Sequence, residues 1–96
     1  MALNLAKSTE NAHRRNVVSR LMLRAYKALT DKDYKSVTDL ADEAVKIDPE
    51  LAGPYLLKGL ALIDSGDKEN ALIALKQAQA LDPEDTDIDT LLKAVQ

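Results

Sequence analysis

Sliding the chain along itself by 34 residues brings two stretches into register. Leu23 then meets Leu57, Asp33 meets Asp67, Ala44 meets Ala78, and Asp48-Pro49-Glu50 meets Asp82-Pro83-Glu84. Similar residues fill the gaps: Leu21 with Tyr55, Arg24 with Lys58, Ala25 with Gly59, Ala41 with Leu75 and Ile47 with Leu81. A period of this length marks a helix–turn–helix unit that buries its apolar faces only by stacking on its neighbours. Small residues at Ala25, Gly59, Ala44 and Ala78 let two helix backbones approach closely. The Asp-Pro pairs end the second helix of each arm, because proline pushes the residue before it out of helical geometry.

Apolar residues recur at helical spacing within each arm. Val17, Val18, Leu21, Ala25 and Ala28 form one stripe, with Met22 and Leu29 beside it. Val37, Leu40, Ala41, Ala44 and Ile47 form the next, and Ala71, Leu72, Leu75, Ala78 and Leu81 a third. Between Gly53-Pro54 and the turn Asp64-Ser65-Gly66-Asp67, Tyr55, Gly59 and Leu62 share one side, and Leu56, Leu60 and Ile63 another. Ile88, Leu91, Leu92 and Val95 close the chain. The pattern predicts helices over 17–30, 34–47, 54–64, 68–81 and 86–95. Residues 1–16 repeat poorly: Leu3, Lys7 and Glu10 fall where Val37, Ala41 and Ala44 sit in the first arm. They read as a non-repeat tail, a short or irregular helix, a partner-docking arm, or an extension of the first repeat helix.

Residues 18–51 and 52–85 resemble two tetratricopeptide repeats. The second carries Tyr55, Lys58-Gly59, Leu62, Gly66, Ala71, Leu75, Ala78 and Pro83 in the family's places; the first carries Leu21, Ala25, Ala28, Tyr34, Val37, Ala41, Ala44 and Pro49. Lys32 stands where the second repeat has Gly66, which puts the local turn geometry in question. Residues 86–96 are similar to the helix that covers the last repeat of such arrays. The resemblance implies an all-α fold, a tetratricopeptide-type α-solenoid of stacked antiparallel helix pairs, over residues 17–96.

The resemblance also implies a concave groove lined by the first helix of each repeat. Its residues here are Ser19, Met22, Tyr26, Leu29 and Thr30, then Gly53, Leu56, Leu60, Ile63 and Asp64. Asp87 and Thr90 are candidates at the cap. This set is apolar for a surface open to water, which points to an apolar or amphipathic segment of another protein. The alternative is self-association, with the groove filled by the chain's own N-terminus through Leu3 and Leu5, or by a second copy. Some family members grip acidic peptide C-termini with basic residues in the groove; Met22, Tyr26, Leu56 and Leu60 stand at that level here. Arg20, Arg24 and Lys58 are nearby and can steer an acidic ligand.

Charge is divided along the chain. Residues 1–30 hold six Lys or Arg and one Glu, a net of +5, whereas residues 31–96 hold seven Lys and fifteen acids, a net of −8. The basic third lacks interleaved aromatic residues and the remainder repels phosphate, so nucleic acid is not an expected partner. With no cysteine and one histidine, thiolate chemistry and a cysteine- or multi-histidine metal site are excluded within one chain. His13 has neither a nucleophile nor an orienting acid in its sequence context. The acidic run Asp82, Glu84, Asp85, Asp87, Asp89 lacks the glycine and terminal glutamate of a calcium loop. Asp85 or Thr86 instead suits a helix cap. No membrane-spanning stretch or cofactor motif occurs, and a cytoplasmic, non-catalytic interaction protein is the expectation.

Overall fold

The computed structural model describes residues 2–96, with side chains placed from residue 12 onward. Five helices follow one another: α1 (Ala2–Thr30), α2 (Tyr34–Ile47), α3 (Ala52–Ser65), α4 (Lys68–Leu81) and α5 (Thr86–Val95). No strand occurs among the described residues. Each helix packs chiefly on its neighbours in the chain, most extensively α1 on α2 and α3 on α4, and α1 also touches α3. This is the expected stack of helix pairs. The bounds of α2, α4 and α5 coincide with those read from the periodicity. α3 starts two residues before Pro54, which therefore occupies its first turn, where a missing N–H leaves no bond unmade. α1 is one continuous helix that reaches back to Ala2. The side chains of Leu3, Leu5, Lys7 and Glu10 lie outside the described residues.

Local sequence fixes the two tight reversals in the same way. After α1, the Lys32 N–H donates to the Leu29 carbonyl at 3.0 Å and the Asp33 N–H to that of Ala28 at 2.8 Å. After α3, Gly66 and Asp67 donate to Ile63 and Leu62 at the same two distances. These paired bonds satisfy the last carbonyls of each helix and require a left-handed residue at the turn. Gly66 has φ 90° and Lys32 φ 61°. The turn geometry is thus kept in the first arm although a lysine occupies the glycine's place.

The aspartate that follows then opens the next helix. Asp33 accepts from the Ser36 N–H at 3.3 Å and its hydroxyl at 2.6 Å; Asp67 accepts from the Asn70 N–H at 3.2 Å and its side-chain amide at 2.8 Å. Those bonds satisfy donors that a helix start leaves open. Asp85 caps α5, accepting from Asp87 and Ile88 N–H.

Alanines dominate the interior. Ala25, Ala41, Ala44, Ala61, Ala71 and Ala78 are fully enclosed, so the helices are held by close backbone approach as much as by large side chains. One cluster joins α1, α2 and α3 through Ala25, Ala28, Val37, Leu57 and Ala61. Val18, Leu21 and Ala44 extend the α1–α2 seam. Leu75, Ala78, Ile88 and Leu92 join α4 to α5. In α3 the most enclosed side chains are Pro54, Leu57 and Ala61, while Tyr55 and Leu62 are half-buried. Helices α1, α2 and α4 all touch α3, so its buried surface is not one stripe.

Candidate functional site

An apolar cleft of about 420 Å³ lies between α1 and the start of α3. α1 contributes Val18, Ser19, Met22, Leu23 and Tyr26, which recur at i, i+4 and i, i+3 spacing along one side; Leu51, Gly53 and Pro54 form the opposite wall. Leu23 is 69% exposed, Tyr26 53% and Leu51 38%, so three large apolar side chains open to water share one depression. Leu51 precedes α3 without donating or accepting a side-chain cap bond, and its side chain is spent on the cleft instead. A Cβ at Gly53 would stand 3.4 Å from Met22 Cε, so any larger residue there narrows the cleft.

Of the groove residues expected from the resemblance, Ser19, Met22, Tyr26 and Gly53 come together here. Leu29 and Leu60 are half-buried against the α1–α2–α3 cluster. Leu56 and Ile63 pack on the cluster that holds α5 to α4. Asp64 and Thr30 are exposed at the ends of their helices. Asp87 and Thr90 are exposed on α5. Leu56, Leu60 and Ile63 therefore do have core partners, although the second-arm stripe suggested otherwise.

Sequence reasoning did not place Val18, Leu23, Leu51 and Pro54 on the groove. A usable signal was present for Leu51, an apolar residue following the polar Asp48-Pro49-Glu50.

Arg20 and Arg24 are exposed on α1. Lys58 faces another way: it donates to Asp42 Oδ1 at 2.9 Å across the α2–α3 seam. That pair lines a second, more polar cleft of about 340 Å³ with Thr38, Asn70, Ile73 and Gln77. No polar or charged side chain is buried among the described residues. They gather no group of three metal-ligating side chains, and no helix among them is long and apolar enough to cross a membrane. What the arrangement offers chemically is apolar area beside positive charge, the means of recognising another polypeptide.

Residues 52–85, comprising α3, α4 and the loop after them, match the family model of the tetratricopeptide repeat. No curated protein matches the chain. Tetratricopeptide repeats are generally protein–protein interaction units and typically non-catalytic. The match over α3–α4 and the stacking of all five helices in adjacent pairs fit a tetratricopeptide-like helical repeat.

Proposed function

We propose that this chain is a non-catalytic interaction module of two repeats, residues 18–51 and 52–85, with α5 as the covering helix. In this reading the cleft between α1 and the start of α3 receives an apolar or amphipathic segment of another protein. The observation that carries it is the joint exposure of Leu23, Tyr26 and Leu51 around one depression. Burying such side chains is favourable by roughly 25 cal/mol for each Å² removed from water, which is the main source of affinity in a groove of this kind.

A displayed library of random 16-residue peptides, selected on the full chain, tests this. Binding of synthesised winners is then followed by fluorescence anisotropy. Binding should be lost in Leu51→Asp and in Gly53→Leu, which narrows the cleft, and kept in Ile73→Asp at the polar cleft. Winners indifferent to the first two substitutions would refute the reading. A concentration-dependent dimer abolished by Leu51→Asp would put a second copy in the cleft instead.

A further inference from the structure

Leu23 and Leu57 are the same residue at the same place in successive repeats, yet Leu23 is 69% exposed and Leu57 1%. Leu57 is enclosed in the cluster with Val37 of α2, and beside it Lys58 is paired with Asp42 of α2. The second helix of the first pair thus covers this face of α3 and supplies it with a carboxylate. α1 presents the corresponding face one repeat earlier, with Leu23 in the place of Leu57, Arg24 in that of Lys58 and Lys27 in that of Ala61. Leu23, Arg24 and Lys27 are all exposed, as is Arg20 one turn before Leu23.

We infer that this face of α1 docks an amphipathic helix of a partner protein, one that carries carboxylates beside its apolar row. The helix would stand to α1 as α2 stands to α3, so the surface continues an interface already present in the fold. Its apolar row covers Leu23. Its carboxylates meet Arg20 and Lys27, which border Leu23 at i−3 and i+4, and Arg24, which stands at i+4 from Arg20 and i−3 from Lys27 and so completes one basic row beside Leu23. No Asp or Glu occurs among residues 12–30; the chain's own Asp31 and Asp33 share a depression with Arg24 and Lys27 at the end of α1, one side of the basic row, and Arg20 is not among its lining residues.

A second copy of the chain is a poor occupant. Pairing α1 with α1 sets arginines against arginines. Extending the stack with a copy's α4 brings Lys76, the repeat equivalent of Asp42, to Arg24. The partner that fits is therefore a different protein with an acidic amphipathic helix. This face shares Leu23 with the apolar cleft but does not depend on peptide capture there.

The test uses the full chain and two labelled peptides: residues 33–48 of this protein, which are α2 with its carboxylates, and the same peptide with Asp39, Asp42 and Glu43 replaced by Lys. The acidic peptide should bind at least tenfold more tightly than its lysine counterpart, and more weakly as salt rises. Its affinity should fall at least tenfold in Arg20→Glu/Arg24→Glu and in Leu23→Asp, with helicity by circular dichroism unchanged because all three side chains are exposed. Gly53→Leu, which narrows the cleft, should leave it intact. Equal binding of the two peptides, or binding untouched by the arginine reversals, would overturn the inference. Loss in Gly53→Leu alone would assign the peptide to the cleft and overturn it while upholding the reading above. A dimer of the chain dispersed by Leu23→Asp would replace the partner by a second copy and overturn it as well.

Discussion

Gly59 and Leu75 meet so closely that a Cβ on residue 59 would stand 2.8 Å from Leu75 Cδ2 and 2.9 Å from Cγ. Leu75 is fully enclosed, in an interior packed closely enough that a shift of its side chain must displace neighbours. Thirty-four residues earlier, the corresponding places hold Ala25 and Ala41. The same packing problem is thus met with two alanines in one helix pair and with a glycine against a leucine in the other.

Gly59→Ala should accordingly destabilise the fold by about 1–3 kcal/mol through overpacking, despite the better helix propensity of alanine. Leu75→Ala should cost about 2–5 kcal/mol by leaving a cavity. The double substitution recreates the Ala25–Ala41 pair found 34 residues earlier, and its cost should be clearly less than the sum of the two. Urea unfolding of the four proteins measures this coupling. Strict additivity would show that the two side chains do not constrain each other.

The turn at Lys32 carries strain that its counterpart at Gly66 does not. A residue with a Cβ is disfavoured in the left-handed region by about 1–2 kcal/mol. Lys32→Gly should raise stability by about 1 kcal/mol, because the hydrogen bonds of Lys32 and Asp33 to the end of α1 are backbone bonds and remain. Gly66→Lys should lower it by a similar amount. Nothing lies within 4 Å of a Cβ placed on Gly66, so that loss would be conformational rather than steric. A shift in urea midpoint of the opposite sign at either site would contradict the account.

These positions also show what a local reading of the sequence reaches. The aspartate caps, the Asp-Pro stops and the left-handed turn are each specified within a few residues, so α2, α4 and α5 were legible to their ends. Leu57 and Ala61 were not read as core residues, because helices on several sides of α3 blur its periodicity. Leu23 was beyond reach for a different reason. It is identical to Leu57 in type and stands 34 residues before it, and no nearby residue tells the exposed leucine from the enclosed one. The cleft was less legible still: Met22 and Tyr26 were expected on a groove only through the family resemblance, and Leu51 joins them only once the loop is folded against α1.

Asp33 should make part of the stability depend on acid. Hydrogen bonds from the Ser36 hydroxyl and then its N–H hold the carboxyl below its ordinary pKa of 3.8, against some desolvation and with help from the Lys35 charge. A carboxyl whose pKa is depressed on folding contributes stability that is complete above 3.8 and is lost as pH falls through the lower folded value. The gap in urea midpoint between the natural chain and Asp33→Asn should therefore hold steady near neutrality and narrow below pH 3.8. A gap that widens there would mean that the charged form does not favour the cap.

Ile88 fastens the last helix. It is fully buried and sits with Leu75, Ala78 and Leu92, while the half-buried Tyr55, Leu56 and Ile63 of α3 lean on the same cluster. A terminal helix of a stacked array shields apolar surface that the preceding pair cannot bury by itself. Ile88→Ala should cost about 2–5 kcal/mol, the range for truncating an enclosed side chain. Leu91→Ala, at a half-buried position on the same helix, should cost less. Because α5 packs chiefly on α4, the damage should also be uneven. Amide hydrogen exchange should rise first across α5, then at Leu75 and Ala78, and last along the α1–α2 seam at Ala25 and Ala44. Uniform acceleration along the chain would instead mean that the five helices open as one cooperative unit, with α5 as tightly coupled to α1 as to α4.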